Sequence, residues 1–138
     1  MKYYELIDHT ADLGIRVSGK NLSTLFSNAG HALFDLMADN SALVADRQKE
    51  LRLRADDLDE LMFLWIRTLL AEFVCESWMY MHFDVSITQQ RSLWALLRGH
   101  KTVMPQHLLR NDLKAITYHE LHVSMRDNVW TTQLIFDV

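Results

Sequence analysis

A single cysteine, Cys75, stands in a chain of 138 residues. No intrachain disulfide can form, and nothing points to an oxidising compartment. The opening Met-Lys-Tyr-Tyr-Glu lacks the apolar region and small-residue cleavage site of a secretion signal. Charge interrupts every apolar stretch before it reaches the length needed to cross a bilayer. The cytoplasm is therefore the expected compartment, with no membrane partner. Basic runs are missing as well: the formal net charge is -4, and the lysines and arginines are scattered. A protein that grips nucleic acid by itself neutralises phosphates with clustered cations. Tight direct RNA binding is disfavoured, unless folding assembles a local patch. An acidic chain better suits a protein partner or a small cation. Neither G-x-G-x-x-G nor a Walker-type lysine loop occurs, so nucleotide binding lacks support.

What is present describes one α+β domain over residues 1–138. Hydrophobic residues make up 49% and charged residues 23%, a globular composition. Tyr3–Ile7 reads as a strand. Leu13, Ile15 and Val17 alternate with polar or small residues, marking a second. Leu22, Leu25, Phe26, Ala29, Leu33, Leu36 and Met37 recur at helical spacing behind Asn21, a capping residue. Leu51, Leu53 and Ala55 mark a strand. Asp57 and Glu60 then have capping-box spacing ahead of a helix carrying Leu61, Trp65, Leu69 and Phe73, with Cys75 expected to be a small buried hydrophobe. Met81, Phe83, Val85 and Ile87 define a strand, followed by another at Leu93–Leu97. The stretch from Gly99 to Asn111, with the only proline at Pro105, reads as a loop or short helical excursion. Strands over Ile116–Met125 and Val129–Phe136 close the pattern, joined at Arg126-Asp127-Asn128.

Several residues could carry chemistry. Asp8-His9-Thr10-Ala11-Asp12 places two carboxylates and an imidazole between the first two strands, able to bind a cation or to act as acid and base. Against that stands ordinary turn hydrogen bonding by Asp8 and Thr10. The sequence given stops at Phe136-Asp137-Val138, which sets a side-chain carboxylate beside a terminal one. Hard cations such as Ca²⁺ and Mg²⁺ favour oxygen ligands of this kind, whereas a solvated chain end is the plainer reading. Seven histidines raise the question of zinc. His119-Glu120-Leu121-His122 lacks the four-residue spacing of H-E-x-x-H, and on a strand positions 119 and 122 face opposite ways. Lys114, entering a strand, is by itself an ordinary surface charge.

In combination these segments resemble the archease family. Tyr4-Glu5-Leu6-Ile7-Asp8-His9-Thr10-Ala11-Asp12-Leu13-Gly14-Ile15 is similar to the family's opening signature. Ala55-Asp56-Asp57-Leu58-Asp59-Glu60-Leu61 with Trp65 resembles its second-helix entry. Leu113-Lys114-Ala115-Ile116-Thr117-Tyr118-His119 and the block from Trp130 to Val138 match its last two, in the family order. The resemblance implies a compact α+β domain, a mixed β-sheet with two main helices and a small inserted set of strands. It further implies a divalent cation, calcium by preference and magnesium or manganese otherwise. The implied partner is an RtcB-type RNA ligase, which must be guanylylated on a histidine with GTP and Mn²⁺. The archease speeds that activation and multiple turnover in tRNA splicing and RNA repair without making the bond itself. RNA is then met only through the ligase. Residue by residue, Asp12 and Asp137 match the family's metal-site aspartates, and Val138 matches a position that adds a backbone oxygen. Lys114 matches a lysine tied to partner activation, with Asp8 and His9 in support. Gly99-His100 departs from the family's common Gly-Glu, which puts partner specificity in question.

Three other readings compete. A chaperone-like modulator of an RNA methyltransferase would not depend on the aspartates. A stand-alone metal-dependent hydrolase would need an open coordination position and a substrate pocket. A purely structural protein leaves the clustered polar motifs without purpose.

Overall fold

A computed structural model describes residues 3–7 and 12–138. Strand β1 (Tyr4–Ile7) pairs antiparallel with β2 (Leu13–Gly19), which leads into helix α1 (Leu22–Met37). The Asn21 side chain accepts a hydrogen bond from the Thr24 N–H at 2.8 Å, the cap its position predicts. Strand β3 (Arg47–Arg54) precedes helix α2 (Leu58–Glu76). There the Asp57 carboxylate accepts from the Glu60 N–H at 2.9 Å. Two long strands follow, β4 (Trp78–Thr88) and β5 (Ser92–Lys101), then a 3-10 turn at Gln106–Leu108. The chain closes with β6 (Ala115–Ile116), β7 (Ser124–Arg126) and β8 (Val129–Asp137).

These strands form two sheets. In the first, the order is β1-β2-β8-β6, and β7 also pairs with β8; in the second, inserted mid-chain, it is β3-β5-β4. The α+β class, the two main helices and the inserted strands all match expectation. Every ladder among the described residues is antiparallel, however, where a mixed sheet was expected. Tight hairpins account for part of this. The turns at Gln89-Gln90 and Asp127-Asn128 hold both central residues at positive φ, the twist that suits two-residue hairpins.

Helix α1 packs against β2 of one sheet and β4 of the other, so one apolar cluster serves both. Gly30 permits the approach to β4, because a Cβ there would lie 2.7 Å from the Phe83 ring. Phe26, Leu33, Trp65 and Tyr80 are fully enclosed. Trp65 satisfies its indole N–H by donating to the Phe26 carbonyl at 2.9 Å, tying α2 to α1.

Four expectations need correction. Strand β3 begins at Arg47 rather than Leu51, because its inward position 49 is a lysine whose ammonium pairs with Glu72 at 2.9 Å. Charge there hides the alternation. Strand β5 runs on to Lys101, through a stretch expected to be irregular. The strand expected over Ile116–Met125 survives only at its ends. Between them the Thr117 hydroxyl accepts from the His119 N–H at 3.1 Å, and Glu120 takes φ 61°, which breaks the ladder. Cys75 is exposed, since α2 turns its last residues away from the core.

Candidate functional site

The candidate site lies at one end of the larger sheet, where β8 is central. Leu13 of β2 is registered with Phe136 of β8. Extending that antiparallel ladder by one residue sets Asp12 across from Asp137. On the other flank Ala115 of β6 is registered with Asp137, and the Lys114 N–H donates to the Asp137 carbonyl at 2.8 Å. Three segments distant in sequence thus converge at this end of the sheet.

Phe136 is fully buried and anchors β8, whereas Asp137 is exposed and Val138 is 57% exposed. The switch from apolar to charged occurs where the strand leaves the core, which carries the carboxylate to the surface. Asp12 is half-buried at the entry to β2. Asp8 and His9 lie outside the described residues. The Lys114 ammonium pairs with Asp112, a residue the sequence reading did not single out. Both side chains are mostly exposed, so this pair contributes little to stability and leaves the lysine open to other anions.

As donors, Asp12, Asp137 and the main-chain oxygen of Val138 are all hard oxygen groups, matched to Ca²⁺ or Mg²⁺ rather than to a thiophilic ion. Among the described residues no group of three or more histidine, cysteine, aspartate or glutamate side chains could hold a metal. Among the described residues, a cation here would draw on main-chain oxygens or water besides the two aspartates.

The histidines sit elsewhere. His119 lies in a turn and His122 in the irregular segment after it, neither in a strand, so the argument from opposite faces does not apply to them. They face different carboxylates: His119 lies 3.4 Å from Glu120, and His122 lies 3.1 Å from Asp59. Asp59 also accepts the Val123 N–H at 2.8 Å, pinning this turn to the start of α2. Above the same helix start, burial and the carboxylates of Asp57, Asp59 and Glu60 push the Tyr118 hydroxyl pKa up. His100 bonds the Asp46 carboxylate at 2.9 Å and helps to hold it below the usual carboxylate range. A glutamate at position 100 would face Asp46 with like charge.

Two polar clusters were not foreseen. His31 is stacked on Tyr3 with ring centres 4.2 Å apart and meets the Phe83 ring edge-on. Burial, then the neighbouring His82, lower its pKa to about 4. On the far side of α2, Glu72 accepts the Tyr80 hydroxyl and the Lys49 ammonium beside a groove of about 780 Å³. Burial and this carboxylate push the Tyr80 hydroxyl pKa far up. Single positions of this kind show no sequence pattern, because their partners lie on other elements.

Comparison with known proteins sets this geometry in a family. The profile described as the Archease protein family (MTH1598/TM1083) matches residues 4–138. The chain belongs to the archease family. It is 32% identical to the protein archease of Sulfurisphaera tokodaii, with all of both chains covered. It is 28% identical to that of Methanosarcina barkeri over 99% of this chain and 97% of the relative. The solution structure of protein 1598 from Methanobacterium thermoautotrophicum superposes with a TM-score of 0.87 at 28% identity, covering both chains fully. A Thermotoga maritima archease, described as a possible chaperone, shares the fold with a TM-score of 0.68 at 22% identity, over 96% of this chain and 94% of its own. No helix among the described residues is long and apolar enough to cross a membrane.

Proposed function

We propose that this archease is a non-catalytic activator of an RtcB-type RNA ligase, promoting guanylylation of the ligase and its repeated turnover in tRNA splicing and RNA repair. The observation that carries the reading is the Leu13–Phe136 register, which puts Asp12, one residue before β2, and Asp137 of β8 at the same exposed sheet end, with Lys114 on the opposite flank. A partner reads such a surface through electrostatic complementarity. The two carboxylates and the Val138 main-chain oxygen would hold a divalent cation, calcium by preference. Bound there, it would screen the repulsion between the aspartates and present positive charge to phosphate or carboxylate groups. The chain's own contribution is positional: β8 holds Asp137 at the surface, β2 sets Asp12 beside it, and the mostly exposed Lys114 offers a mobile cation to an approaching nucleotide.

The test is formation of the covalent guanylate–ligase intermediate from radiolabelled GTP, with the partner ligase of the same source. Wild type is expected to speed labelling, and folded Asp12→Ala and Asp137→Ala variants to lose the effect. Unchanged labelling with wild type and an active ligase would reject the reading and favour a methyltransferase modulator. Release of phosphate from nucleotides by the protein alone would instead reject its non-catalytic character.

A further inference from the structure

The start of α2 meets an exposed aromatic ring in acidic surroundings. Tyr118 is 48% exposed and leans on the half-buried Phe63, with ring centres 5.1 Å apart at 57°. The Arg67 guanidinium lies over Phe63, 5.4 Å from its centre, so this aromatic pair already takes a cation from within the chain. Among the described residues no cation lies over Tyr118. Burial and then Asp57, Asp59 and Glu60 push its hydroxyl pKa up, with no cation opposing them. Asp59 is engaged with His122 and the Val123 N–H, and Asp57 caps the helix. Neither Asp57 nor Glu60 forms an ion pair among the described residues. Asp56 extends the acid into a cleft of about 520 Å³ that Asp57, Asp59 and Arg91 also line. Four carboxylates against Arg67 and Arg91 leave this corner acidic. Acids in a first turn complement the helix dipole, which accounts for Asp59 and Glu60. It does not account for an aromatic ring left exposed beside them.

We propose that Tyr118 with Asp57 and Glu60 is a docking site for a basic segment of the protein partner, an arginine or lysine side chain lying over the Tyr118 ring. An aromatic face holds the cation, the carboxylates complement its charge, and the ring carbons cover its apolar stem. Other occupants fit less well. Nucleic acid is repelled by the carboxylates. Among the described residues these acids do not converge as a metal-holding group. A free polyamine finds no enclosing wall around a ring this exposed. Position ties the site to the partner already proposed. The Thr117 N–H donates to the Ile135 carbonyl at 2.9 Å, and Ala115, just ahead in β6, is registered with Asp137. Roughly 10 Å of strand therefore separates Tyr118 from the Asp137 level, within the footprint of one protein interface. The proposal deepens the ligase reading and rests on it: an enzyme that holds RNA carries the basic surface that this corner complements.

The experiment separates docking from activation. Binding of the partner ligase to the immobilised full chain is followed by biolayer interferometry at several salt concentrations. Guanylylation of the ligase is measured in parallel over a range of concentrations of this protein. Glu60→Lys reverses a charge that makes no recorded side-chain bond, and is expected to slow association about fivefold and flatten its salt dependence. Tyr118→Ala is expected to weaken binding about threefold, and Tyr118→Phe, which keeps the ring, to retain it. Glu60→Gln serves if the lysine variant fails to fold, with a smaller effect in the same direction. For each weakened variant the concentration giving half-maximal guanylylation rises, while the rate at saturation stays that of wild type, because the Asp12–Asp137 end is intact. Wild-type association and affinity in folded Glu60→Lys and Tyr118→Ala overturn the proposal, and leave the activator reading standing if wild type still speeds labelling. A lower saturating rate with unchanged binding overturns it too. Absence of ligase binding by wild type overturns the docking. Binding without any stimulation rejects the activator reading alone, and the same variants then decide whether Tyr118 and Glu60 carry the contact.

Discussion

Lys114 holds Asp137 with its backbone, not its side chain: the Lys114 N–H donates to the Asp137 carbonyl at 2.8 Å while the ammonium stays in solvent beside Asp112. Position and chemistry are thus separable at this residue. Lys114→Ala is expected to change unfolding free energy by less than about 0.5 kcal/mol, because only an exposed ion pair is lost. Its stimulation of ligase guanylylation is expected to fall. Urea denaturation alongside the labelling assay checks both, and a destabilised Lys114→Ala would show that the side chain is structural.

His31 makes stability depend on pH. Its pKa is lowered to about 4 in the fold, mainly by burial, against 6.5 unperturbed. The unfolded chain therefore takes up a proton between those values while the folded chain does not. Its contribution is whole above about pH 6.5 and is lost as pH falls toward 4. The denaturation midpoint should decline over that window, and His31→Phe, which keeps a ring against Tyr3 and Phe83, should flatten the decline. An unchanged slope in the variant would assign the acid sensitivity to other groups.

Gly99 sits where β5 passes the bulge at Tyr80–His82, and a Cβ there would lie 2.2 Å from the Met79 carbonyl oxygen. Backbone, not a flexible side chain, blocks the space. Gly99→Ala is expected to cost about 1–3 kcal/mol through forced backbone movement. Hydrogen exchange should show the loss concentrated in β4 and β5.

Thr132 is 2% exposed, and its hydroxyl finds no hydrogen-bond partner among the described residues. Burying an unpaired hydroxyl is unfavourable by about 1–3 kcal/mol. Thr132→Val keeps the shape and removes the oxygen, so the thermal midpoint should rise. A lower midpoint would mean that an ordered water serves the hydroxyl.

Local signals in the sequence predicted the local elements. Asn21 and Asp57 cap the helices they were expected to cap, since a cap bonds to the amide three residues on. Alternation at Leu13–Val17 and Phe83–Ile87 marks the buried faces because burial on one side of a sheet imposes a period of two. Charge compensated at a distance was hidden: Lys49 faces inward because Glu72 on α2 receives it. Cys75 lies past the point where α2 leaves the core, which no helical periodicity reveals. At the candidate site the residue types were legible. Their convergence was expected only through the family resemblance, since it depends on strand order, and nothing in either segment alone says that residue 13 will meet residue 136.

That meeting has a consequence for how the molecule matures. The β4–β5 hairpin pairs neighbours in sequence, but the β2–β8 ladder closes nearly the whole chain upon itself, at a greater entropic cost. The sheet end bearing Asp12 and Asp137 comes into being only at that step. Whatever docks there engages finished molecules alone and, by mass action, holds them closed.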